Sequence, residues 1–196
     1  AHKVIELTKR LDPWAYVLHL EGRDVRDSKD PDILRRWQDQ AVRALEIVSA
    51  WAGGPEKLAV ENLEHYPIDF IQLVTDRVPV SRCVDIGHLW LDGVPVIPYL
   101  EKNLPRTRVI HMHAVGERDH ASLSHVEPDE LDKVFRTLHR AYHGVLTLEL
   151  FSEPDFLLSM DAVQQSLKRI ESNPKSTFIL GGARSGKSIF AQRWPQ

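Results

Sequence analysis

The chain has 196 residues, of which 42% are hydrophobic and 27% charged, with a formal net charge of -3. That length buries one good core, or one domain and part of another, and the composition is that of a soluble globular protein. The acidic balance argues against a surface built mainly for nucleic acid. A single cysteine, Cys83, excludes a disulfide framework within the chain and reads as a small buried residue in an apolar run. No apolar run reaches about 18 residues, so no membrane span is expected. No secretory segment is visible, and the cytoplasm is the expected compartment.

In chain order, short apolar runs alternate with helical patterns. Residues 15–22, AYVLHLEG, read as a strand that turns polar. Asp30 and Pro31 form a helix start, with proline at the first helical position. Leu34, Trp37, Ala41, Leu45 and Val48 recur at helical spacing until Gly53 and Gly54 stop the run. Residues 57–64, KLAVENLE, are the next strand, followed by a looser helix around 70–77. A strand over 82–88, RCVDIGH, and a short helix over 95–102 come next. Residues 108–115, RVIHMHAV, form a further strand. Leu131, Val134, Leu138 and Ala141 mark a helix ending at Gly144. The strand GVLTLELF covers 144–151, and a final helix runs from Ser152 to Glu171. A polar linker, SNPKS, leads into TFILGG at 177–182, a strand feeding a glycine-rich loop.

Strand and helix in alternation predict an α/β fold with a buried parallel sheet. Five such strands precede the linker, whereas a closed (β/α)8 TIM barrel needs eight. The expectation is a barrel lacking two or three N-terminal strands, with an open doubly wound sheet as the rival. The domains are expected at 1–173, the barrel, and 174–196, a linker and the start of a second domain.

Each strand carries a metal-capable residue at or near its C-terminal end: His19, Glu61, Asp85, His111 and Glu149. His88 follows Asp85 by three residues. His113 follows His111 by two, on one strand face by period two. Asp119, His120 and His125 lie in the loop beyond. In a barrel, strand C-termini converge on one mouth, where groups from different strands meet. Imidazoles and carboxylates together suit a divalent metal such as Zn²⁺ or Mn²⁺. A lone histidine in a strand is commonly a hydrogen-bonded core residue, and a lone glutamate after apolar residues is often the first exposed position. Five strands in succession ending this way point instead to a metal site, since buried carboxylates are costly unless paired or ligating. The pattern leaves His113 and His125 open between ligand, neighbour and surface. His2, His65, His139 and His143 read as surface residues.

Near the end, Gly181, Gly186, Lys187 and Ser188 fit the phosphate-loop pattern G-x-x-x-x-G-K-[ST]. Such a loop, here Gly181, Gly182, Ala183, Arg184, Ser185, Gly186, Lys187 and Ser188, cradles the phosphates of ATP or GTP in backbone N–H groups at a helix N-terminus. Only eight residues follow Ser188, and the chain starts at Ala1, so it reads as a piece of a longer protein in which this nucleotide site is incomplete.

The segments YVLHLEG, LAVENLE, VDIGHLWLDG, RVIHMHAVGERDHASL and LTLELF resemble, in order, the active-site strands of xylose-isomerase-like barrels, and most of all the endonuclease IV branch. The resemblance implies that His19, Glu61, Asp85, His88, His111, Asp119, His120 and Glu149 are ligands or neighbours of a divalent metal cluster. It departs in one place: Asp119 and His120 are adjacent, where that branch has Asp-x-His. The tail FILGGARSGKSIFAQ is similar to the start of the adenosylcobinamide kinase/guanylyltransferase family. A barrel fused to such a kinase resembles the cobamide-remodelling phosphodiesterases. This implies hydrolysis of a cobamide's nucleotide-loop phosphodiester to cobinamide phosphate and an α-riboside, with a corrinoid as substrate.

For that reaction Glu61, Asp85, His111 and Glu149 are expected to form the main metal shell. His19, His88 and the Asp119–His120 pair are expected to hold a second ion or orient the phosphate, and Glu61, Glu149 and His88 are the candidate catalytic groups. The alternative is a sugar isomerase or epimerase of the same barrel superfamily, which needs only Glu61, Asp85, His111 and Glu149. A DNA-repair endonuclease fits the acidic charge poorly, because backbone binding needs positive charge. A corrinoid-binding module without catalysis fits the dense ligand set poorly.

Overall fold

The computed structural model describes residues 1–116 and 119–170. The phosphate-loop residues 181–188 and the expected second domain lie outside the described residues. Residue contacts divide the described chain into two compact units, one over Ala1–Cys83 and one from Val84 onward.

The first unit opens with α1 (His2–Thr8) and β1 (Tyr16–Leu18), then α2 (Pro31–Ala52), β2 (Leu58–Glu61), α3 (Gln72–Thr75) and β3 (Ser81–Asp85), whose last two residues belong to the second unit. Helix α2 starts where the sequence places it. The Asp30 carboxylate accepts the Asp32 N–H at 2.9 Å, and Pro31 occupies the first turn, where a missing N–H costs nothing. Gly53 ends the helix at φ 90°, a left-handed conformation that favours glycine, and donates to the Ser49 carbonyl. The buried residues Gln38, Ala41, Val42, Leu45 and Ser49 recur at helical spacing along one stripe. That stripe shares a core with Leu58 and Val60 of β2 and with Phe70, Ile71 and Val74 around α3. Strand β2 is buried along its whole length, as befits a strand with both faces covered. It pairs in parallel with β1 through Tyr16–Leu58 and with β3 through Glu61–Cys83.

The second unit continues with α4 (Ile86–Leu91), α5 (Val96–Asn103), β4 (Thr107–Met112), α6 (Pro128–Ala141), β5 (Val145–Leu148) and α7 (Glu153–Ile170). Strands β4 and β5 are parallel, with His111 opposite Thr147. Helix α6 buries Leu131, Val134, Phe135 and Leu138 in a core that also holds Ile110, Met112, Leu146, Leu148 and Val163. A polar clamp fastens α6 to α7. Buried Asp132 receives the Arg169 guanidinium through two hydrogen bonds of 2.8 and 2.9 Å and the Ser166 hydroxyl at 2.6 Å. The Tyr142 hydroxyl lies 3.1 and 2.8 Å from the Arg108 and Val145 carbonyls and so ties the end of α6 to the start of both strands.

The strand order is β1-β2-β3-β4-β5, so sequence order and sheet order coincide. The alternation of strand and helix is as expected, but several strands are shorter. Residues 82–88 do not form one strand: β3 stops at Asp85, whose carboxylate accepts the His88 N–H at 2.9 Å and starts α4. His88 therefore sits on a helix. Strand β4 stops at Met112, and an isolated bridge between Ala114 and Ala121 closes the following loop. His113 therefore lies beyond the strand. No helix among the described residues is long and apolar enough to cross a membrane.

Candidate metal centre

In the first unit, β1 leads directly to His19 and β2 ends on Glu61. The His19 Nε2 lies 3.3 Å from Glu61 Oε2, with His19 half exposed and Glu61 buried. These two expected residues are brought together.

In the second unit, Asp85 is the last residue of β3, His111 is the fifth of β4 and Glu149 is the first after β5. Parallel strands put these positions at one end of their ladder. The Glu149 N–H completes the ladder by donating to the Met112 carbonyl at 3.1 Å. His111 Nδ1 lies 2.9 Å from Glu149 Oε2 and 3.9 Å from Asp85 Oδ2. The three residues offer donor atoms within 4.8 Å of one another. Glu149 keeps a third of its side chain exposed, whereas Asp85 is wholly buried.

A second set adjoins the first through Asp85. His88 Nδ1 lies 3.9 Å from Asp85 Oδ2, and His113 Nε2 lies 3.2 Å from Asp85 Oδ1. On its other nitrogen His113 faces the Ala114 carbonyl at 3.2 Å and Asp119 Oδ1 at 3.3 Å. Asp119 Oδ2 lies 3.1 Å from His120 Nδ1, while its other oxygen accepts the His120 N–H at 2.9 Å. This local fold, with His120 at φ 55°, lets two adjacent residues enter one cluster. His88, His113, Asp119 and His120 offer donor atoms within 4.8 Å of one another. The imidazoles of His113 and His120 stack at 4.1 Å and 8°, and Phe151 stacks on His120 at 4.6 Å and 26°.

The donor chemistry fits a divalent cation. A wholly buried carboxylate is costly in a medium of low dielectric unless a positive group meets it. Here the groups around Asp85 include His88, His111 and His113, which bind Zn²⁺, Mn²⁺ or Fe²⁺ when neutral. The electrostatics of His113 carry the same mark. Burial opposes its charge, but the hydrogen bond and charge of Asp85, helped by the Ala114 carbonyl and Asp119, outweigh burial and raise its pKa above the usual histidine value. The site therefore attracts positive charge.

His113 was open in the sequence and lies at the middle of the second set, wholly buried. What makes room for it is Gly87: a Cβ there would overlap the His113 ring. The glycine in DIGH was the available signal. His125 and His65 are exposed, and neither belongs to a donor set. Phe151, not singled out in the sequence, is three-quarters exposed beside His120.

Two of the solved structures that resemble the chain are of sugar isomerases or epimerases. One is the crystal structure of the 3-keto-D-glucoside 4-epimerase YcjR from E. coli in its apo form, at a TM-score of 0.58 and 16% identity over 84% of this chain and 68% of that one. The other is a sugar phosphate isomerase/epimerase from Parabacteroides distasonis, at a TM-score of 0.59 and 13% identity over 84% of this chain and 62% of that one. The chain shares their fold. It is an α/β fold with a parallel five-stranded sheet, as the alternation of strand and helix suggested. The chain spans about two thirds of the length of these structures. No family profile and no curated protein matches the sequence.

Proposed function

We propose that the chain performs metal-dependent chemistry on a sugar, of the isomerase or epimerase class. One observation carries this reading. Asp85, His111 and Glu149 gather donor atoms at the ends of their strands, in a fold whose solved examples include a sugar epimerase. They are the proposed ligands. A divalent cation such as Mn²⁺ or Zn²⁺ supplies electrophilic polarisation of a substrate oxygen. The rest falls to the chain's own groups. Glu149 is the carboxylate of this set that solvent reaches, and its oxygen beside His111 Nδ1 would go to the ion. Its second oxygen would take a proton from a carbon next to a carbonyl, in the role of general base. Asp85, sealed from water, contributes fixed negative charge and keeps His88 and His113 in place.

The test is proton exchange. The metal-reconstituted full chain is incubated with a ketohexose such as D-fructose, or with a 3-keto-glucoside, in deuterated water and followed by NMR. Deuterium incorporation beside the carbonyl, lost in Glu149→Gln, is the expected result. No exchange with either sugar overturns the reading.

The second donor set favours another reading, hydrolysis of the phosphodiester in a cobamide's nucleotide loop. Phosphodiester hydrolysis draws on two cation sites, and His88, His113, Asp119 and His120 are a candidate second one. The phosphate-loop spacing at Gly181–Ser188 supports this reading too, because a corrinoid kinase using ATP or GTP would consume the cobinamide phosphate released. Two cations per chain, and cobinamide phosphate detected by mass spectrometry after incubation with an adenosylcobamide, would establish it in place of the first.

A further inference from the structure

Phe151 combines two properties. Its side chain is 75% exposed, and its ring lies against His120, a member of the second donor set. Exposed apolar residues are common and need no explanation when scattered. Leu157 and Leu158 of α7 are of that kind, at 59% and 52%. Phe151 differs in being stacked. It is the outermost of three rings, Phe151, His120 and His113, that lead from solvent to a wholly buried imidazole.

The ring is also held at a fixed place. Two residues before it, the Glu149 N–H donates to the Met112 carbonyl at 3.1 Å. One residue after it, the Ser152 hydroxyl accepts the Asp155 N–H at 3.2 Å and the Ser152 carbonyl accepts the Phe156 N–H at 3.1 Å, which fastens the start of α7. The segment carrying the ring is therefore short and anchored at both ends. An ordered aromatic surface beside polar groups binds ligands at small entropic cost.

We propose that Phe151 is the stacking platform for the ring of a sugar bound at this site. The face of an aromatic ring is electron-rich, and the C–H bonds on one face of a sugar present weak positive charge and apolar area to it. The hydroxyls of the same sugar are left for the carboxylates and imidazoles alongside. This deepens the proposed function and rests on its choice of a sugar as ligand. The sugar can be a free hexose or the ribosyl unit of a nucleotide loop, and the two share this chemistry.

The experiment measures binding and turnover separately, on the full metal-reconstituted chain. D-Fructose and methyl α-D-ribofuranoside are titrated in turn, and their C–H resonances are followed by NMR. With the wild type, at least one sugar is expected to show upfield ring-current shifts. In Phe151→Ala these shifts vanish and affinity falls about three- to tenfold, with metal content and melting midpoint unchanged. Phe151→Trp restores both. Preference for one sugar tells the hexose source from the ribosyl source. Equal binding by wild type and Phe151→Ala overturns the proposal, as does no binding of either sugar. A change of oligomeric state in Phe151→Ala without loss of sugar binding also overturns it and makes the ring an interface residue. If the ring-current shifts appear and vanish as expected but neither D-fructose nor a 3-keto-glucoside exchanges its proton, the platform stands and the isomerase reading falls.

Discussion

His113 Nε2 lies 3.2 Å from Asp85 Oδ1, with both side chains wholly buried. The contact occupies one oxygen of Asp85 and leaves the other facing His88 and His111 at 3.9 Å each. His113 thus orients a proposed ligand. Groups in that position typically change metal affinity about 10–100-fold when removed. His113→Asn is expected to lower affinity for Mn²⁺ or Zn²⁺ by that factor in a competitive chelator titration. Gly87→Ala is expected to do the same without touching any donor, because its Cβ would overlap the His113 ring. Wild-type affinity in both variants would sink this account.

Asp85 has two tasks that substitution can separate. Its carboxylate starts α4 by accepting the His88 N–H, and its charge draws cations. Asp85→Asn keeps an acceptor and loses the charge. A saturating metal at 100 times its Kd stabilises a protein by about 2.7 kcal/mol. That metal-dependent gain is expected in the wild type and absent in Asp85→Asn. Asp85→Ala loses the cap as well and should melt lower than Asp85→Asn without metal, by about 1 kcal/mol. Thermal unfolding with and without Mn²⁺ checks all three proteins.

The clamp between α6 and α7 sets a limit in acid. The Arg169 hydrogen bonds, aided by Ser166, hold the Asp132 carboxyl below the usual carboxylate range against the cost of burial. A depressed pKa of this sign gives stability that is fully present above about pH 4, the ordinary range of the unfolded side chain. It is lost as pH falls through the lowered value in the folded state. Asp132→Asn is expected to lower the melting midpoint by a few degrees at pH 7 and to flatten its decline below pH 4. An unchanged acid limb in that variant would show that the clamp contributes nothing.

The start of α2 offers a simpler measurement. Asp30 caps the longest helix among the described residues through one hydrogen bond of 2.9 Å to the Asp32 N–H. Asp30→Ala should cost about 1 kcal/mol in urea unfolding, and Asp30→Asn only a few tenths, because asparagine caps nearly as well.

Much of this was legible in the sequence because two periodicities are strong. Apolar residues at helical spacing gave α2 and α6, and polar residues closing apolar runs gave Glu61, Asp85, His111 and Glu149. What escaped was set by where the chain turns. The period-two reading that puts His113 on the strand face of His111 assumes that the strand continues. It stops at Met112, and the imidazole goes to Asp85 and Asp119. The run 82–88 hides a strand end and a helix start, since an aspartate can close one and cap the other at once. Phe151 ends the strand expected over 144–151, and nothing in the sequence marks it as exposed. The phosphate loop rests on the spacing of Gly181, Gly186, Lys187 and Ser188 alone, because it lies outside the described residues.

Cys83, the sole cysteine of the chain, is 1% exposed in β3, two residues before Asp85. A thiol reagent in solution can reach its sulfur only when the strand opens. The rate of its modification by a small disulfide therefore times the opening of the strand that carries Asp85, with no label to be engineered. Slower modification on adding Mn²⁺ would register, on a clock built into the native sequence, how firmly a bound ion closes that strand.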